Sequence, residues 1–242
     1  MALKDPYDFF ILIFQRFKPT YQKNLEIQAF NHQMTNSVER IGIMADSHGI
    51  PGVIEEAIQY FNHQNCSQIY HLGDICDSGY PEDSDVCVCF LKKNSIIAVK
   101  GNNDHIVQLN HKDQPGKIIS PETVRYLNDL PQVVGYRNAF FSHSLPFVKE
   151  LGLAGMIWDM SVASALKFIA DNPDSILFRG HSHTPEIKYL EGSRIKSEKI
   201  QSGQVIDLSR FIPCIITCGA LMSKLCMIWE PDNKKLYSIS FE

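Results

Sequence analysis

Three short apolar runs recur along the chain, each closing on a polar residue, with room for a helix between them. Ile41-Gly42-Ile43-Met44-Ala45 stops at Asp46, Gln68-Ile69-Tyr70-His71-Leu72 stops at Gly73-Asp74, and Ile96-Ile97-Ala98-Val99-Lys100 stops at Gly101-Asn102. Pro51 suits a first helical position and opens a helix to about Asn62, and Val86 to Leu91 reads as part of a second. Strands that alternate with helices pair in parallel, because only a crossover returns the chain to the same end of a sheet. An α/β fold with a largely parallel central sheet is expected.

Beyond residue 130 the pattern is richer in strand. Val133 to Arg137, Ala139 to Ser142 and Ser175 to Arg179 read as strands, with a helix near Ser161 to Ala170. Ile187–Leu190, Ile195–Ile200, Gln204–Leu208, Cys214–Thr217, Leu225–Trp229 and Leu236–Ile239 are short and punctuated by turns, as in a second, mostly antiparallel sheet. The best parse is one domain over 39–242 preceded by a helical extension over 1–38. In that extension Phe9, Phe10, Ile13, Phe14 and Phe17 recur at helical spacing until Pro19. Such a stripe needs a surface to cover it, and a homo-oligomer built through the arm is one expected use. Met34 is an alternative start of translation.

Composition narrows the function classes. Lys and Arg number 23 against 27 Asp and Glu, a net charge of −4, which gives no bulk attraction to nucleic acid. The Phe9 to Phe14 run falls far short of the roughly 20 residues that span a bilayer, and no transmembrane segment is visible elsewhere. The cysteine count, seven, is odd, and no secretory signal is seen, so a reduced, cytoplasmic protein is expected. The Cys87-Val88-Cys89 pair reads as core packing.

The polar residues fall where strands end. Asp46 and His48 follow the first strand, Asp74 the second and Asn102 the third; His143 follows Phe140-Phe141-Ser142, and His181 and His183 follow Leu177-Phe178. Ligands bind at the carboxyl ends of strands in α/β sheets. Asp46 and His48, like His181 and His183, are two apart, so in extended chain each pair faces one side. Mixed carboxylate, imidazole and amide ligands suit borderline divalent cations.

Asp46-Ser47-His48, Gly73-Asp74, Gly101-Asn102-Asn103-Asp104, Ser142-His143 and Gly180-His181-Ser182-His183 resemble, in order, the motifs of the calcineurin-like metallophosphoesterase family. The resemblance runs from about Arg40 to the C-terminus. It implies a two-sheet β-sandwich flanked by helices, the metallo-dependent phosphatase fold, and hydrolysis of a phosphate ester, diester or monoester. It also implies two divalent metal ions, manganese first, with iron, zinc, nickel or magnesium as alternatives. Asp46, His48 and His183 would hold one ion and Asn102, His143 and His181 the other, with Asp74 bridging both. A hydroxide between ions roughly 3.5–4 Å apart would attack phosphorus.

The chain departs from the family pattern at Asn103, where many members carry a histidine thought to assist the leaving group; in this it resembles a branch of small bacterial and archaeal phosphodiesterases. An amide donates a hydrogen bond but holds no titratable proton at neutral pH. The catalytic set is then Asp74, Asn103, Asp104 and His105, with His105 as a substitute acid and Asp104 as an orienting partner. Asn102, Asn103 and Arg179 are expected at the substrate. Cys218-Gly219-Ala220 also departs from a frequent Pro-Gly-Ser. His71 is expected to be a core or supporting histidine. The alternative from another class is a catalytically weak scaffold of the same fold that binds protein partners, which would be expected to have lost metal ligands that are all present here.

Overall fold

The computed structural model describes residues 38–114 and 118–241. The expected arm over 1–38, its Phe9 to Phe17 stripe and the alternative start at Met34 lie outside the described residues, Val38 excepted.

The first half alternates as expected: β1 (Ile41–Met44), α1 (Pro51–His63), β2 (Gln68–His71), α2 (Ser84–Lys93) and β3 (Ile97–Ala98). Both β1–β2 and β2–β3 pair in parallel. Helices α3 (Asn102–His111) and α4 (Pro121–Asp129) follow. Then come β4 (Val133–Tyr136), β5 (Ala139–Ser142), the single turn α5 (Val148–Leu151), α6 (Val162–Asp171) and β6 (Ile176–Arg179). The remaining strands are β7 (Glu186–Glu191), β8 (Arg194–Lys199), β9 (Val205–Asp207), β10 (Cys214–Thr217), β11 (Leu225–Glu230) and β12 (Lys235–Ser240).

These strands form two six-stranded sheets, ordered β3-β2-β1-β11-β12-β9 and β4-β5-β6-β10-β7-β8. The expected division by sequence is corrected here. β9, β11 and β12 complete the first sheet instead of the second, and the second sheet is mixed, with β5, β6 and β10 parallel. The reason lies in β11. Met227 and Trp229 face the core between the sheets, and Cys226 and Ile228 face the helices. A strand apolar on both faces needs a central position, and β11 takes the one antiparallel to β1.

Alternation along β1 sets the layers. Ile41 and Ile43 enter the inter-sheet core with Tyr70, Leu72, Phe141, Phe178 and Trp229. Tyr70 and Phe141 stack across that core with centroids 4.0 Å apart. Met44 joins Ile54, Phe61 and Leu91 on the helical face, while Phe168 of α6 packs with Leu177 and Ile215 behind the second sheet. Of the Cys87 and Cys89 pair only Cys87 is buried; α2 turns Cys89 to solvent. Among the described residues no helix is long and apolar enough to cross a membrane.

This sandwich aligns the carboxyl ends of β1, β2 and β3 with those of β5 and β6. The loops leaving those five ends are the ones marked in the sequence.

Candidate metal centre

The backbone at these loops is unusual before any side chain is considered. Asp46, His48, Asp74, His181 and His183 all have positive φ, from 45° to 72°. Residues with a Cβ rarely take this conformation, and its persistence at five positions marks a site whose geometry is over-determined by its surroundings. Two glycines let the loops close. A Cβ on Gly101 would lie 2.1 Å from the Asp74 nitrogen, and one on Gly180 would lie 2.8 Å from Asp46 Oδ2. The loop after β10 locks the end of β1, with Leu221 N–H donating to the Ala45 carbonyl and Met222 N–H to that of Asp46.

All seven expected ligands converge. Asp46, His48 and His183 bring one ligand atom each within 4.8 Å of one another, and so do Asp46, Asp74 and His143. His48 Nε2 and His183 Nε2 face each other at 3.1 Å. On the other side His143 Nε2 lies 3.0 Å from Asn102 Oδ1, and His181 Nδ1 lies 3.1 Å from both. Asp74 stands between the two groups, Oδ1 at 3.5 Å from His143 Nε2 and Oδ2 at 3.8 Å from His48 Nε2.

The donor chemistry fits divalent cations. His143 Nδ1 lies 2.8 Å from the Leu72 carbonyl, which can only accept, so the ring proton sits on Nδ1 and Nε2 turns a lone pair inward. That lone pair meets another acceptor, Asn102 Oδ1, an arrangement that a cation relieves. Burial holds the His143 ring down to about 4, and burial also lowers His181 and His183, which favours the neutral rings that could hold a cation. Asp46 is fully buried and Asp74 nearly so. Burial first, then the Asp74 charge, raises Asp46 well above the ordinary carboxylate range, a cost that a bound cation offsets. No thiolate is among the seven.

Four other expected site residues take different places. Asn103 turns inward: Nδ2 donates to Asp74 Oδ2 at 2.7 Å, its N–H donates to Asp74 Oδ1 at 2.8 Å, and its Oδ1 accepts from Ser78 Oγ–H at 2.6 Å. Both ends of the amide are engaged, and Asn103 braces Asp74. Asp104 is wholly buried and accepts backbone N–H from Gly101 and Cys76, tying the start of α3 to the loop after β2. Its role is to position that loop. His105 Nδ1 is buried without a hydrogen-bond partner, and burial, then Lys100, lowers the ring's pKa, which favours its neutral form. Arg179 is 1% exposed, and its guanidinium donates to Ser144 Oγ and Thr217 Oγ1.

Supporting residues were partly hidden in the sequence. His71 Nε2 meets Ser47 Oγ at 2.9 Å, and that hydroxyl donates to the Ile75 carbonyl, joining the middle residue of Asp46-Ser47-His48 to β2 and the loop beyond it. Asp77, Ser78 and Asp159 were missed. Asp77-Ser78-Gly79 carried a turn signature that pointed there, with Gly79 N–H donating to Asp77 Oδ1. Asp159 gave no signal, since it lies in an irregular segment before α6.

The profile of the calcineurin-like phosphoesterase superfamily domain matches residues 40–197. An uncharacterized protein of Methanocaldococcus jannaschii is 24% identical over 174 residues, 65% of this chain and 68% of that one. A metallophosphoesterase from Sphaerobacter thermophilus shares the fold at 22% identity and a TM-score of 0.63, over 84% of this chain and 88% of that chain. A serine/threonine phosphatase from Saccharomyces cerevisiae superposes with a TM-score of 0.50 at 13% identity, over 86% and 81%.

Proposed function

Because this chain belongs to the calcineurin-like phosphoesterase superfamily, we propose that it hydrolyses phosphodiester or phosphomonoester bonds at a centre of two divalent cations, manganese foremost. Asp46, His48 and His183 hold one position, Asn102, His143 and His181 the other, and Asp74 serves both. The observation that carries this reading is the pair of facing ligand groups, 3.0–3.1 Å apart within each, with Asp74 between them. Cations bound there supply acidity to water and neutralise charge on the phosphate oxygens.

The protein's own part is to hold these groups still. The Leu72 carbonyl fixes the tautomer of His143, and Asn103 grips both oxygens of Asp74. Backbone N–H of His181 donates to Asp46 Oδ2 at 3.0 Å, so the loops after β1 and β6 hold each other's ligands. Asn103 has no proton to give at neutral pH, and burial favours the neutral form of His105. The departing oxygen therefore leaves with little help from side chains, and esters with good leaving groups are the better substrates.

A rate panel tests this reading: bis-p-nitrophenyl phosphate, p-nitrophenyl phosphate and alkyl esters, on metal-stripped protein with Mn, Ni, Zn or Mg added back. Hydrolysis restored by metal and falling with leaving-group pKa is expected. Full activity in protein verified as metal-free would overturn it.

A further inference from the structure

The proposed ligands of the second position differ in what stands behind them. His143 has the Leu72 carbonyl at 2.8 Å on its outer nitrogen. His181 presents Nδ1 to Asn102 and His143, which leaves Nε2 facing outward. A lone pair on Nδ1 requires the proton on Nε2, and that proton needs an acceptor to stay there. The nearest carboxylate is Asp159, with Oδ1 3.8 Å from His181 Nε2.

The same Asp159 oxygen lies 3.7 Å from Arg179 Nη2. Arg179 is buried, its Nε has no hydrogen-bond partner, and a buried guanidinium calls for a counter-charge. Arg179 is itself anchored: Nη2 donates to Ser144 Oγ, and Ser144 Oγ donates to the Trp158 carbonyl at 2.6 Å. The chain just before Asp159 is thus tied down, with Ile157 N–H and Trp158 N–H both donating to the Ala154 carbonyl. Arg179 is two residues before His181, and together they hold one carboxylate at the outer edge of the ring.

We propose that Asp159 is a positioning residue: backed by Arg179, its carboxylate faces His181 Nε2–H at 3.8 Å and so favours the tautomer with Nδ1 as the ligand atom. The inference rests on the two-cation reading. It also gives Arg179 a function. A carboxylate behind a ligating imidazole raises the ring's basicity and fixes its orientation, and loss of such a partner typically weakens metal binding by about 10–100-fold.

The test is calorimetric titration of full-length, metal-free protein with Mn²⁺, with no turnover needed. Wild type is expected to bind two equivalents. Asp159→Ala should weaken one by about 10–100-fold and leave the other near wild type. Asp159→Asn should recover part of the loss, because its amide oxygen keeps an acceptor facing Nε2–H. Asp171→Ala, an exposed carboxylate on α6 paired with Lys167, should change neither. Asp159 also faces the buried Arg179 guanidinium, so Asp159→Ala is expected to lower the metal-free melting temperature somewhat, and the unequal loss at the two equivalents is the readout that separates positioning from folding. Two unchanged equivalents in Asp159→Ala would overturn the proposal while leaving the centre intact. So would an equal loss at both equivalents with no rescue by Asn. Wild type that takes up no Mn²⁺ would overturn the centre itself.

Discussion

Asn103 grips Asp74 by both oxygens, Nδ2 donating to Oδ2 at 2.7 Å and the backbone N–H to Oδ1 at 2.8 Å. A residue that sequence placed at the substrate is therefore a support for the carboxylate shared by the two ligand groups. Asn103→His, which on sequence alone would add a missing acid, is expected instead to lose Mn²⁺ affinity by about 10–100-fold. Its rate should fall on p-nitrophenyl and alkyl esters alike. A variant with full metal affinity and a selective gain on alkyl esters would show that the amide is free to serve the leaving group.

Gly101 tests how closely the loops must approach. Its missing Cβ would meet the nitrogen and Oδ1 of Asp74 at 2.1 and 2.2 Å, and backbone cannot yield as a side chain can. Gly101→Ala is expected to cost about 1–3 kcal/mol in urea denaturation, the usual range for overpacking, and to deplete bound metal. Gly52→Ala is the control, because a Cβ there meets nothing within 4 Å on α1. It should stabilise by about 0.4–1 kcal/mol. Equal effects at the two glycines would remove the steric argument.

Away from the site, Arg40 Nε donates to Glu230 Oε1 at 3.0 Å, and Asn233 Nδ2 donates to Oε2 at 2.9 Å. Burial pushes Glu230 up, but the bonds from Asn233 and Arg40 outweigh it and hold the carboxyl below its usual 4.5. A depressed folded pKa contributes stability above the unfolded value and loses it as pH falls through the folded one. Arg40→Met should then cost about 1–3 kcal/mol at pH 7, with the difference from wild type shrinking below about pH 4.5. Denaturation curves from pH 3 to 7 check this; a pH-independent difference would mean that Arg40 acts through packing alone.

The chemistry should not depend on residues 1–38, since all seven proposed ligands follow Arg40. Protein comprising 39–242 is expected to bind Mn²⁺ and hydrolyse p-nitrophenyl esters like the full chain, with any change confined to assembly size or stability. Sedimentation and metal content report on the two separately. A well-folded truncation without metal would show that the arm helps to build the centre.

The strand-end residues were legible because each lies at the end of an apolar run, and one strand can be read without knowing its partners. Helix α3 was not, because Asn102-Asn103-Asp104-His105 is polar and its start is fixed by Asp104 accepting from Gly101 N–H, a contact that only the folded loop makes. Helix α4 carried a readable start, Ser120 accepting from Thr123 N–H just before Pro121, that the apolar pattern did not reveal. Sheet membership of β11 was illegible, because a run apolar on both faces states that a strand is central but not in which sheet. The hydrogen-bond partners of Arg179 and Asn103 were illegible for a related reason: a polar residue beside a site faces either the ligand or the scaffold, and side-chain direction is settled by neighbours distant in sequence.

Asp74→Asn tests the central claim most directly, since this carboxylate reaches toward both ligand groups with one oxygen each. Metal-free wild type and variant would be titrated with Mn²⁺ and their hydrolysis of bis-p-nitrophenyl phosphate followed at each addition. The account expects wild type to reach full rate as two ions bind, and Asp74→Asn to bind both weakly and to lose nearly all turnover. An Asp74→Asn protein that kept two tightly bound ions and a near-normal rate would contradict it.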